Sequence, residues 1–316
     1  MIEQQSLTRY VLLRLILLVP TFIGVTLIAF LIVKLTPGDP LVSVLGFGGS
    51  GGAQAAQALR IELGLDKPLY VQYLLFLWRI IHVDLGNSIA DQVPVVVLFE
   101  HALPNTFLLI FTAMVFAVAI GIPIGLIAAT RRNSIFDQSA RVGSILSASL
   151  PDYWLGLMLI IIFAFYLRLF PIGGNSEPSS VVLPGLTLGI GLAGLIVRLM
   201  RSSMLEEIHK DYIRTARSKG LKERAIVLRH AMRNAILPVI TVLGLQMGYL
   251  LAGDFFVEYV FAWPGVGRLV VFAILVKDYP VIQAFLLLAA SFYVVVNLGI
   301  DLLYVTIDPR IRLGSR

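Results

Sequence analysis

Cysteine is absent from the 316 residues, histidine occurs four times, and charged residues make up only 14%. Without cysteine there is no disulfide framework in any external loop and no thiolate metal centre. The histidines (His82, His101, His209 and His230) fall on different loops or helix edges, no H-E-x-x-H occurs, and no G-x-S-x-G nucleophile elbow is present, since the one literal match, at 48–52, lies in the small-residue stretch 46–57. Those gaps argue against a zinc hydrolase and a nucleophile-elbow serine hydrolase. A phosphate-cradling G-x-x-x-x-G-K-[ST] loop is missing too, so the chain does not bind ATP in that way. The carboxylates near apolar stretches, Asp152, Asp254, Glu258 and Asp301, are scattered rather than paired, as interface or capping groups are. No His/Cys/Asp set has metal-ligand spacing. An intramembrane hydrolase, which needs a nucleophile–base pair, is the alternative of another class and is disfavoured.

What replaces charge is apolar surface. Soluble domains are about 25% charged, whereas this chain is 58% hydrophobic with a mean hydropathy of +0.89. Six runs, 10–33, 103–130, 145–169, 183–200, 235–256 and 282–307, are each near the ~20 residues that cross a bilayer as helix. They are continuously apolar rather than alternating, which excludes barrel strands, and a backbone in lipid must satisfy its own hydrogen bonds. The expectation is an all-α polytopic membrane protein with six transmembrane helices, one domain over 1–316. Arg9 and Arg14 precede the first run, but its length exceeds a signal peptide's ~7–15-residue apolar region, so an uncleaved first helix is expected.

Charge sets the orientation. With the N-terminus inside, 18 of the 25 Lys and Arg residues fall on the inner side. Both termini are therefore expected in the cytoplasm. Because the basic residues track membrane sidedness and no recognition module accompanies them, their partner is anionic lipid rather than nucleic acid. The segment 36–100 is the largest extracytoplasmic piece. Its stretch 58–88 reads as short amphipathic helices broken at Gly64, Pro68 and Gly86, with Tyr70, Tyr73 and Trp78 suited to the headgroup layer.

Three small-residue pairs, Gly121/Gly125, Gly185/Gly189 and Gly244/Gly248, have the G-x-x-x-G spacing that lets helix backbones approach. Pro123, Pro151, Pro184 and Pro238 are expected to kink or start helices. Polar groups inside the runs are Asn105, with Thr106 beside it, then Gln246, Asn297 and Asp301. Since polar groups in lipid are costly, these four (Asn105, Gln246, Asn297 and Asp301) are candidates for a translocation path, with interhelical hydrogen bonding as the simpler role.

The cytoplasmic segment 201–234 is too long for a plain helix–helix connection of about 2–8 residues. Leu205, Ile208, Tyr212 and Ala216 repeat at helical spacing, Gly220 interrupts, and Leu221, Ala225, Leu228, Met232 and Ala235 make a second stripe. A helix, a glycine stop and a second helix entering the fifth run are expected. The small residues Thr215, Ala216, Ser218 and Gly220 would let another surface come close, flanked by Arg214, Arg217 and Lys219.

That stretch, RTARSKGLKERAIVLRHAMRNAILP, resembles the cytoplasmic EAA loop of permease subunits of binding-protein-dependent ABC importers, in the dipeptide/oligopeptide/nickel subgroup. Ala216 and Gly220 stand at the shared Ala and Gly positions, while Arg214-Thr215-Ala216 replaces the general Glu-Ala-Ala. LTPGDP (35–40), LGLDKPLYVQY (63–73), DLGNS (84–88), SLPDYWLGL (149–157), VEYVFAWPGVGRL (257–269), KDYPVIQ (277–283) and NLGIDLLYVTIDPRIRL (297–313) extend the similarity along the chain. The resemblance implies a type I importer fold in the cell inner membrane, forming half of a pathway for short peptides, with nickel or a nickel chelate as the alternative cargo. It implies a coupling helix over Tyr212, Arg214, Thr215, Ala216, Arg217, Ser218, Lys219 and Gly220, seated on a separate ATPase. Its further implied partners are a second homologous permease, two ABC ATPase subunits that bind ATP and Mg, and an extracytoplasmic substrate-binding protein. No cofactor is implied for this chain.

Overall fold

The computed structural model of the chain describes residues 20–32, 35, 66–253 and 255–307, by backbone alone at 252, 253, 297 and from 300 on. Every regular element among them is helical. The first helices are α1 (Pro20–Ile32), α2 (Leu69–Ile81), α3 (Val95–Thr130), α4 (Ile135–Ser149) and α5 (Asp152–Leu159).

 The α5 helix runs from Asp152 to Leu159 and continues as a π turn over Ile160–Tyr166. After it come α6 (Val182–Ile208), α7 (Asp211–Ser218), α8 (Glu223–Ala235), α9 (Leu237–Gly253), α10 (Phe255–Val260), α11 (Val266–Val276) and α12 (Tyr279–Ile307).

Among the described residues three helices are individually long and apolar enough to cross a membrane, and five spans result if each bent pair counts as one. Residues 10–19 of the expected first span lie outside the described residues. The expected continuous span 145–169 is corrected: α4 and α5 meet at an angle of 103°. Pro151 forces this break, because its ring and missing N–H forbid helix through Leu150. Pro238 has a similar but milder effect, with 44° between α8 and α9. Pro123 lies inside α3, which is one helix from Val95 to Thr130. Membrane helices tolerate such a proline when neighbouring turns re-satisfy the freed carbonyl.

The chain divides into two compact units, 1–104 with 265–316 and 105–264. In the first, Thr26 and Tyr73 share a hydroxyl–hydroxyl hydrogen bond of 2.9 Å, and Phe30 packs edge-on against Tyr73 at 5.5 Å between ring centres. Tyr73 therefore serves packing between α1 and α2, whereas Tyr70 and Trp78 are exposed, as headgroup anchors would be. The turn between α11 and α12 places a buried Asp278, which accepts from Ser88 Oγ at 2.5 Å.

In the second unit, α3 and α6 pack side by side through glycines from both helices. A Cβ on Gly121 would lie 2.7 Å from Ile196 Cβ, and one on Gly125 would lie 2.8 Å from Met200 Cβ. Reciprocally, a Cβ on Gly185 would lie 2.6 Å from Thr112 Cγ2, and one on Gly189 would lie 2.7 Å from Phe116 Cβ. The contacts advance together along both helices, so α3 and α6 run parallel. Two of the three expected glycine pairs thus form one interface.

The short α4 is pinned to α6 by charge. The buried Asp137 accepts from Arg201 Nε at 2.5 Å and Nη2 at 2.8 Å, and from the Asn133 backbone N–H at 3.0 Å. Ser134 Oγ caps α4 by accepting from the Asp137 N–H at 3.2 Å. Such a bidentate, charge-assisted pair fixes both distance and angle.

Candidate functional site

The basic segment folds as helix, stop and helix. The long α6 ends at Ile208, and Lys210 turns the chain into extended backbone before α7 begins. Ile213 and Ala216 of α7 are buried beside Met200 and Met204 of α6, Ile226, Val227 and Ala231 of α8, and Val239 of α9. Burying the Ile213 side chain alone contributes about 1.5–3 kcal/mol. Tyr212, Arg214, Thr215, Arg217, Ser218, Lys219 and Gly220 remain exposed. Ala216 faces inward, so it supports the open face rather than forming part of it.

Gly220 ends α7 in a left-handed conformation, φ +75°. Its N–H donates to Arg217 O at 2.9 Å, and the Leu221 N–H reaches back to Ala216 O at 3.3 Å. This is the Schellman pattern, which satisfies the last helical carbonyls and favours glycine at that position. Across the turn Arg217 donates through Nε and Nη2 to Glu223 at 3.1 and 2.7 Å, tying α7 to α8.

A second tie lies at the other end. Glu207 is buried, pairs with the Lys210 ammonium, and accepts from Tyr212 OH at 2.5 Å. Asn234 Nδ2 donates to Tyr212 OH at 3.1 Å, linking α6, α7 and α8. The hydrogen bond to Glu207 holds Lys210 above the ordinary lysine value. Burial, then the bond to Glu207, raises the Tyr212 phenol. Both shifts favour the protonated forms, so their contribution is present at neutral pH and is lost only as pH rises past those raised values. The product is a short cationic helix held at both ends and continuous, through α8, with α9.

Of the four polar path candidates, Asn105 and Gln246 have described side chains. Asn105 donates to Pro264 O at 3.0 Å, and its own carbonyl accepts from Trp263 Nε1 at 3.0 Å. That is a clamp on the turn after α10. Gln246 lines a cavity of about 250 Å3 with Ser147, Asp152, Gly191, Arg198 and Tyr249. Asn297 and Asp301 lie on α12, with side chains outside the described set.

Sequence reasoning missed Glu207, Asn234 and the Asp137–Arg201 pair. For Asp137 there was a signal: Ser134-x-x-Asp137 before an apolar run is a capping pattern. For Glu207 and Asn234 there was none, since 27 positions separate them.

A bundle of apolar helices carrying one stiffly mounted cationic loop defines the class of a membrane transport component. Residues 121–313 match the family described as binding-protein-dependent transport system inner membrane component. Residues 7–110 match its N-terminal membrane component. The chain belongs to this family, is a multi-pass inner-membrane protein, and is a transport component rather than an enzyme. The intramembrane hydrolase alternative is thereby set aside.

Among relatives, it is 42% identical to the dipeptide transport system permease protein DppB of Escherichia coli K12, over 96% of this chain and 98% of that one. It is 41% identical to the glutathione transport system permease protein GsiC of Salmonella paratyphi A, over 96% and 98%. It is 40% identical to the di/tripeptide transport system permease protein DppB of Pseudomonas aeruginosa, over 95% and 97%. An inward-facing structure of the MetNI methionine ABC transporter shares the fold, with a TM-score of 0.57 at 17% identity, covering 67% of this chain and 96% of that one. The fold is that of a type I ABC importer permease.

Proposed function

We propose that this chain forms half of the transmembrane pathway of an ATP-driven importer of short peptides, with α7 as its coupling helix. The observation that carries the coupling role is the mounting of α7: exposed and cationic on one face, anchored by Ile213 and Ala216 on the other, and tied at both ends. Rigid-body transmission needs such a stiff element, docked at one end and continuous with a span at the other. Its partners are two ABC ATPase subunits that bind ATP and Mg, a second homologous permease and an extracytoplasmic substrate-binding protein. Six spans with both termini in the cytoplasm place α7 on the ATPase side, as the 18-to-7 split of Lys and Arg favours. The peptide cargo follows the names of the relatives, which weigh against nickel.

Gly220→Glu tests the docking. A Cβ at this position meets nothing within 4 Å, so the cost within the chain is only the ~1–2 kcal/mol of a left-handed non-glycine residue. The expected result is normal insertion with at least a tenfold loss of peptide uptake and of binding-protein-stimulated ATPase activity. Gly220→Asn, which tolerates the left-handed region, should retain both. Unchanged uptake in Gly220→Glu would remove α7 as the docking element.

A further inference from the structure

The cavity between α4, α5, α6 and α9 carries opposite charges and lies away from the coupling loop. Asp152, half-buried at the start of α5, has no hydrogen-bond or ion-pair partner for its carboxylate among the described residues. Its Oδ1 lies against Gly191 of α6, 3.2 Å from where a Cβ would be. Arg198 lies seven positions further along α6 and therefore on the same face. One of its nitrogens donates to Ser144 O at 2.6 Å, and a guanidinium carries five N–H donors, which leaves capacity for a carboxylate. Gln246 and Tyr249 add an amide and a phenol from α9.

The geometry points to this cavity as a binding site for both charged ends of a short peptide: Asp152 takes the α-ammonium and Arg198 the α-carboxylate. The assignment rests on the short-peptide reading above. A carboxylate left unpaired among apolar helices is costly, and such groups mark pathways where the opposite charge arrives with cargo. Spacing supports the assignment. Seven residues of helix rise about 10 Å, and arginine side chains lean back toward the helix N-terminus, which shortens the gap. An extended dipeptide spans about 7 Å and a tripeptide about 10 Å. Two or three residues bridge the pair; a single amino acid does not.

The test uses the complete transporter in proteoliposomes with Gln246→Cys, which introduces the sole thiol of this chain. Thiol modification is read by mass on this chain, with and without millimolar L-alanyl-L-alanine on the cytoplasmic side. Free dialanine should slow modification at least fivefold, while alanine and N-acetyl-dialanine-amide leave it unchanged. Adding Asp152→Asn or Arg198→Gln should each abolish the protection, and Asp152→Glu should keep it. If Asp152→Asn does not assemble, Arg198→Gln and Asp152→Glu carry the decision. Equal protection by the capped peptide, or protection surviving both charge removals, overturns the site. Wild-type uptake in the same vesicles separates the two ideas. Uptake without protection sinks only the site, whereas no uptake of any peptide sinks the cargo class.

Discussion

Placing alanine at both Gly121 and Gly125 tests whether the α3–α6 contact organises the second unit. The added methyl groups would stand 2.7 Å from Ile196 Cβ and Cγ2, and 2.8 Å from Met200 Cβ and Val197 O. Carbon atoms are comfortable at about 3.5–4.0 Å, so the helices must separate by roughly 1 Å. Neither obstacle can swing aside: Ile196 Cβ is fixed to its backbone, and Val197 O is backbone itself. Ile196 and Met200 are fully buried, so separation also loosens their contacts with the core that anchors α7. Overpacking of this kind costs about 1–3 kcal/mol per site. The two sites share one interface and will not add simply, so about 2–4 kcal/mol is expected for the pair. The assay is thermal unfolding of the purified transporter, followed by size-exclusion chromatography of this subunit. Gly143→Ala on α4 is the control, because a Cβ there meets nothing within 4 Å, and it should be neutral or slightly stabilising. A double variant as heat-stable as the control would refute the close approach of α3 and α6.

Three further outcomes follow from named contacts. Asp137→Asn leaves Arg201 without its buried partner and should destabilise by about 3–5 kcal/mol, the range for breaking one side of a buried pair; replacing both residues by apolar ones should recover most of the loss in the same unfolding assay. Tyr212→Phe removes the hydrogen bond to Glu207 and the acceptor for Asn234, costing about 1–2 kcal/mol; hydrogen exchange should quicken across 211–220 while the α3 core stays protected. Ser218→Cys, exposed on α7, should react with a membrane-impermeant thiol reagent in inverted vesicles and not in intact cells; reaction in intact cells would reverse the topology.

The helical class, the glycine interface and the glycine stop were legible because each depends on local physics. Lipid leaves the backbone no choice but helix, and small residues four apart announce a close approach. Gly220 was readable because a left-handed cap needs glycine wherever the chain goes next. Asn105 shows the limit of such reading. Polar and placed in an apolar run, it fits the pattern of a path residue, and equally that of a structural one: its side-chain amide donates to Pro264 O and its backbone carbonyl accepts from Trp263. Burial cost demands a partner and does not say whether that partner is cargo or chain.

The second stripe of the cytoplasmic segment fails for a different reason. Regular α spacing selects Leu221, Ala225, Leu228, Met232 and Ala235 as the inner face, yet Leu221 and Leu228 are each 43% exposed. The buried residues are Ile226, Val227, Ala231, Ala235 and Val239. From Ile226 to Ala231 the step is five positions, and thereafter it is four. Five is the spacing of the π turn that occupies Ile226–Ala231, whose i→i+5 bonding admits one more residue than an α turn. That single extra residue rotates everything before it against everything after it. It brings the start of α8, with Glu223, round to the Arg217 guanidinium, while Ala235 and Val239 keep facing the core. A pattern search that assumes one period cannot find this, because neither half is irregular by itself. The π turn therefore sets which face of α8 meets α7.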